Sequence, residues 1–167
     1  NSKDAIGINS NVAGRLSGAD FDGDTVMVIP LSETTKVAST RPFTELEGFD
    51  TKSSYGPDPK QSYKDENGVD HYLRNGKEYK LMTNTQNEMG RISNLITDMT
   101  LKGATDDEKI RAVRHSMVVI DAEKHHLDYK QSYIDNGIDE LHKKYQLQQD
   151  ENGNYHEGAA TLISRAK

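Results

Sequence analysis

Apolar residues along this chain follow two different periods, and the change between them divides the sequence. Near the start, "DAIGIN" alternates apolar and polar residues, and "TVMVIP" (residues 25–30) is a continuous apolar run stopped by a proline. Both read as strands, the second one buried. Residues 35–61 are rich in Ser, Thr and Pro without a sustained period, so they read as loop. Residues 62–84 place Asn67-Gly68 and Asn75-Gly76 between Tyr-bearing segments. Asn-Gly is a strong hairpin signal, and the stretch reads as a β-meander.

From residue 85 the period lengthens. Met89, Ile92, Leu95, Ile96 and Met99 form one stripe at helical spacing. Gly103 stands where a helix C-cap belongs. Thr105 and Glu108 make a Thr-x-x-Glu capping box for a second helix, with Ile110, Val113, Met117 and Ile120 as its expected buried stripe. Leu127, Ile134, Ile138, Leu141 and Tyr145 continue the helical pattern, and Gly137 marks a break. "DENG" occurs at 65–68 and again at 150–153, which predicts another hairpin near the C-terminus. Two copies of four residues reflect shared turn chemistry rather than a repeat. The pattern therefore predicts an α+β chain. Its parts are a β-rich stretch at 1–34, a loop and β-hairpin insertion at 35–84, a helical region at 85–147 and a hairpin or tail at 148–167.

Composition narrows this picture. Only 33% of the 167 residues are hydrophobic, Trp is absent and there are 3 Phe, so a thin aliphatic core is expected. Such a core fits a piece of a larger body. A first residue of Asn1 and an ending of "LISRAK" add to that expectation. With no Cys, disulfides and thiolate metal sites are excluded. No apolar run approaches the roughly 18–20 residues of a membrane helix. With no signal peptide visible, a cytoplasmic setting and no membrane partner are expected. The 27 Asp and Glu outnumber the 21 Lys and Arg, whereas self-sufficient nucleic-acid binders are usually basic. A bound metal, or charge elsewhere, would have to meet any phosphate.

The densest chemistry lies in "SGADFDGDTVMVIPLS" (residues 17–32), where Asp20, Asp22 and Asp24 fall within five residues. Three ionised carboxylates in one turn repel one another, and a divalent cation relieves that repulsion. Carboxylate oxygens are hard ligands suited to Mg²⁺, with Mn²⁺ as a substitute. In an extended chain the three share one face, and Gly23 supplies freedom for a turn that converges them. An EF-hand loop beginning at Asp20 fails, because its sixth position is Thr25 and its twelfth is Leu31. "DGDTV" also matches the string of haloacid-dehalogenase-type phosphatases. In that family the acidic loop follows a buried strand, whereas here it precedes one.

"GADFDGDTVMVIPLS" resembles the metal-binding signature of two-barrel RNA polymerases. These include the multisubunit enzymes' largest subunit and the single-chain polymerases of RNA silencing and phage. "MGRISN" (residues 89–94) and "VIDAEK" (residues 119–124) resemble later motifs of the single-chain branch, in the same order. The resemblance implies that residues 1–34 are part of a double-psi β-barrel. It implies that Asp20, Asp22 and Asp24 hold the catalytic Mg²⁺ of a nucleotidyltransferase. Nucleic-acid template, NTPs and the remainder of the polymerase would be its partners. A second barrel does not fit in 167 residues, so the isolated chain is expected to be inactive, with open strand edges that favour self-association. The rival expectations are a non-catalytic interaction module with a structural divalent-metal turn and, third, the phosphatase.

Other polar residues change the picture less. Lys124 and the Arg111–Arg114 pair, one helical face at i, i+3, are candidates for nucleic-acid phosphate. Asp121 is expected to partner a nearby cation. His125 and His126 point about 100° apart on a helix and are expected at the surface. His71, His115, His142 and His156 are expected at solvated positions.

Overall fold

The computed structural model describes residues 9, 28–37, 41–149 and 151–157. The chain divides into two compact units, Asn1–Pro42 and Phe43–Lys167. In the first, a turn at 32–35 is closed by Ser32, whose hydroxyl oxygen accepts from the backbone N–H of Thr34 and Thr35. Val28 and Ile29 are exposed and outside any strand, unlike the buried strand expected of the run that contains them. An apolar run is buried only where a second layer covers it, and none does so among the described residues of this unit.

The second unit mixes helices with small antiparallel hairpins. A 3₁₀ turn at Thr44–Leu46 and a short helix, α1 (Thr51–Tyr55), occupy part of the stretch expected to be loop. Asp50 explains α1: its carboxylate accepts from the Ser53 N–H, an N-cap that outweighs poor hydrophobic periodicity. Strands β1 (Tyr63–Lys64) and β2 (Asp70–His71) pair antiparallel, as do β3 (Leu73–Arg74) and β4 (Lys77–Glu78). They form two separate hairpins rather than a meander. Asn75 and Gly76 both adopt positive φ, the two-residue turn that Asn-Gly favours.

Four consecutive helices follow. α2 (Thr85–Leu101) starts at Asn84, whose side chain accepts from Asn87. It ends in a Schellman turn, with Gly103 at φ 72° and the Ala104 N–H bonded to Met99 O. α3 (Asp106–His125) opens on the complete Thr105–Glu108 capping box. α4 (Tyr129–Asp135) is capped by Asp128, and α5 (Ile138–Tyr145) begins after Gly137 at φ 58°. Strands β5 (Leu147–Gln149) and β6 (Tyr155–Glu157) then pair around the second "DENG", the hairpin its turn residues predicted.

α3 is the central element and packs on α1, α2, α4 and α5. Ile92, Leu95 and Met99 of α2 meet Ala112 of α3 and Ile138, Leu141 and Tyr145 of α5. Val118, Val119, Ala122 and Leu127 pack with Tyr55 and Met82 in a second cluster. The buried face of α3 thus matches the expected one at Ile110 but not beyond it, Val113 and Met117 being half-buried. Ile120 is 59% exposed, while Ala112, His115, Val119 and Ala122 are buried. A helix touched on several sides has no single apolar stripe, so its small residues carry the contact. Ile134 of α4 is likewise exposed rather than buried.

Candidate functional site

Asp20, Asp22, Asp24 and Gly23 lie outside the described residues, as does most of the stretch 1–34 expected to form barrel strands; its described residues, 9 and 28–34, are in no strand. Among the described residues, no three His, Asp or Glu side chains gather to hold a metal. The nearest approach is His71, whose Nδ1 lies 2.8 Å from Glu78 and whose Nε2 lies 3.5 Å from Asp65. The two carboxylates sit on opposite ring nitrogens, so one ion cannot take all three. Hydrogen bonds to the Glu78 carboxylate, then to that of Asp65, hold the His71 pKa above its ordinary value.

Arg111, Arg114 and Lys124 all stand on α3. Arg111 donates from Nε to Asn136 O at 2.9 Å and from Nη2 to Gly137 O and Glu140, joining α3 to the α4–α5 corner. Arg114 donates from Nη2 to Glu45 O at 2.8 Å and lies over the Phe49 ring. Lys124 is exposed in the last turn. The structure does not bring the three onto one common patch of contacts: the two arginines each bind a different backbone segment. Asp121 accepts from the Thr51 hydroxyl at 3.4 Å rather than from a cation.

Helices α2, α3, α4 and α5 and strand β5 surround a cavity of about 420 Å³. Ile92, Leu95 and Ile138 give it apolar wall, and His115, Tyr133 and His142 bring three rings to it. His115 is buried rather than solvated, because it stands on the face of α3 that packs against Ser132 and Tyr133 of α4. Its Nδ1 is 3.0 Å from the Ser132 hydroxyl, which Asn136 in turn donates to at 3.3 Å. Tyr133 meets the imidazole edge-to-face at 5.6 Å. Burial pushes the His115 pKa down to about 4, so the ring is neutral near pH 7. Beside the cavity, Gln146 donates to the buried Asp98 carboxylate at 2.9 Å.

Hydropathy alone misses this cluster, since His, Ser and Asn score as polar. The signal was positional: His115 lies three residues before Val118 and seven before Ala122, on the face that α3 buries. Among the remaining histidines, His126 ends α3 at φ 54° and stacks on Tyr72 at 4.4 Å.

No helix among the described residues is long and apolar enough to cross a membrane. No protein-family model matches the chain, and no curated protein or solved structure is significantly similar to it.

Proposed function

We propose that this chain carries the magnesium-holding loop of a two-barrel RNA polymerase, with Asp20, Asp22 and Asp24 as ligands and Gly23 shaping the loop. One observation carries the reading: the string "GADFDGD" leads directly into the apolar run "TVMVIP". Its donor set fits the ion, being three hard carboxylates at two-residue spacing with no competing thiol or imidazole in the string. The later strings at 89–94 and 119–124 support the single-chain branch by their order. In this reading residues 1–34 belong to a double-psi barrel, completed by the rest of a polymerase that also binds template and NTP. Bound there, Mg²⁺ supplies charge stabilisation for nucleotidyl transfer. Lys124, exposed on α3, is the cation proposed to meet phosphate.

Mn²⁺ titration followed by electron paramagnetic resonance tests the proposal, using the intact chain and the variants Asp20→Asn, Asp22→Asn and Asp24→Asn. One weak Mn²⁺ site is expected, displaced by Mg²⁺ in preference to Ca²⁺ and lost in each variant. A site that prefers Ca²⁺ would favour a structural turn. A site that survives any of the three substitutions refutes the ligand set.

A further inference from the structure

We propose that the cavity between α2 and α5 is a binding site for an uncharged heteroaromatic molecule of one or two rings. It is separate from the metal-loop reading and stands or falls without it. At about 420 Å³ the cavity lies within the range of ordinary small-molecule sites. Three kinds of wall define the ligand. The first is apolar and aromatic: Ile92 and Leu95 with the Tyr133 and His142 rings, surfaces on which a flat ring buries area and stacks.

The second is electrostatic. The two charged residues that line the cavity are Glu88 and Arg91, and they pair with each other at 3.3 Å. His115 is neutral, as its burial requires. The lining residues therefore offer no unpaired Asp, Glu, Lys or Arg, and a charged ligand would lose hydration without such a counter-ion.

The third is a fixed polar point. His115 is held through Nδ1 by Ser132, and Asn136 holds Ser132 in place. Its Nε2 makes no hydrogen bond among the described residues, although the ring lines the cavity. An imidazole oriented by two further residues, with one nitrogen uncommitted, presents a single directed hydrogen-bonding position. A ring nitrogen or ring N–H on the ligand edge meets it; a plain hydrocarbon leaves it unpaired.

Adenine serves as the probe, with benzoate and benzylammonium as charged comparators of similar flatness. The experiment uses the intact chain labelled at histidine carbons and follows each imidazole by nuclear magnetic resonance near pH 7.5. Adenine is expected to shift the His115 Cε1–H signal with a dissociation constant of about 1 mM or tighter, while the comparators leave it in place. Asn94 also lines the cavity, and Asn94→Trp is expected to fill it and weaken adenine at least about tenfold. The unliganded spectrum of that variant reports that it is folded. The proposal is overturned if about 5 mM adenine leaves His115 unmoved. It is equally overturned if the charged comparators shift His115 as much, or if the filled variant binds adenine as the parent does.

Discussion

Replacing Glu108 by Gln separates the charge of one carboxylate from its shape. Glu108 sits where the start of α3 meets the end of α5. Its oxygens accept from the Thr105 N–H at 3.0 Å, the Thr105 hydroxyl at 3.0 Å, Lys144 Nζ at 2.5 Å and the Tyr145 hydroxyl at 2.6 Å. Glutamine keeps one acceptor oxygen and turns an N–H₂ toward donors. Thr105 and Tyr145 both donate to the one oxygen, Oε2, that the glutamine carbonyl can replace, so these bonds persist to a neutral acceptor. Weakening the bond from buried Tyr145 from a charged to a neutral acceptor costs about 1 kcal/mol. Lys144 meets the amide N–H₂ in place of Oε1, and because its side chain is 55% exposed and screened that loss is small. The expected loss is about 1–1.5 kcal/mol, against the 5–15 kcal/mol typical of a domain.

The pH dependence gives a second readout. The Lys144 hydrogen bond, then that of Tyr145, lowers the Glu108 pKa from 4.5 to about 2. Between those values the unfolded chain binds a proton that the folded chain refuses. The contribution is therefore complete above about pH 4.5 and lost as pH falls through about 2. Urea unfolding followed by far-ultraviolet circular dichroism, run from pH 7 to pH 2.5, measures both quantities. A loss under about 0.5 kcal/mol at pH 7 would refute the node. So would a gap between parent and variant that does not narrow in acid.

Three further outcomes follow from the helical unit. His115, with its pKa lowered to about 4 from 6.5, makes the unfolded chain the better proton acceptor between those values. Stability should fall as pH drops through that window, by roughly 3 kcal/mol at most; an imidazole signal titrating near 6.5 in the folded chain contradicts this. Gly137→Ala places a side chain at φ 58° and against the Arg111 guanidinium, and thermal unfolding should report a loss of about 1–2 kcal/mol. An unchanged midpoint would show that neither the turn nor the contact is tight. Arg111→Met should cost about 2 kcal/mol by unbinding two carbonyls, whereas Lys124→Ala should stay within about 0.5 kcal/mol; equal effects in chemical denaturation would remove the distinction between them.

The helical unit was legible wherever one residue type dictates one geometry. The Asn-Gly turn at 75–76, Gly103 after α2 and the Thr105–Glu108 box all appear as their chemistry demands. The α2 stripe of Ile92, Leu95 and Met99 was also readable, because that helix buries one face. α3 was not, since a central helix packs through Ala112, Ala122 and His115, which hydropathy discounts. Asp50 announced α1, but a five-residue helix leaves no periodicity to notice. Arg111 and Arg114 showed their shared helical face in the sequence, but not the carbonyls at 136, 137 and 45 that receive them. Those acceptors are backbone atoms brought near by the tertiary fold. The proposed metal loop is the reverse case: the reading rests wholly on the string of residues 20–24, which lies outside the described residues.

Paramagnetic broadening by Mn²⁺ tests the central proposal most directly. Substoichiometric Mn²⁺ is added to the isotopically labelled intact chain, and loss of amide signals maps the ion's position. The account predicts that signals within residues 18–26 vanish first and return when Mg²⁺ is added in excess. Broadening centred instead on Asp65, His71 and Glu78, or on Glu88 and His142, with residues 18–26 unaffected, would contradict it.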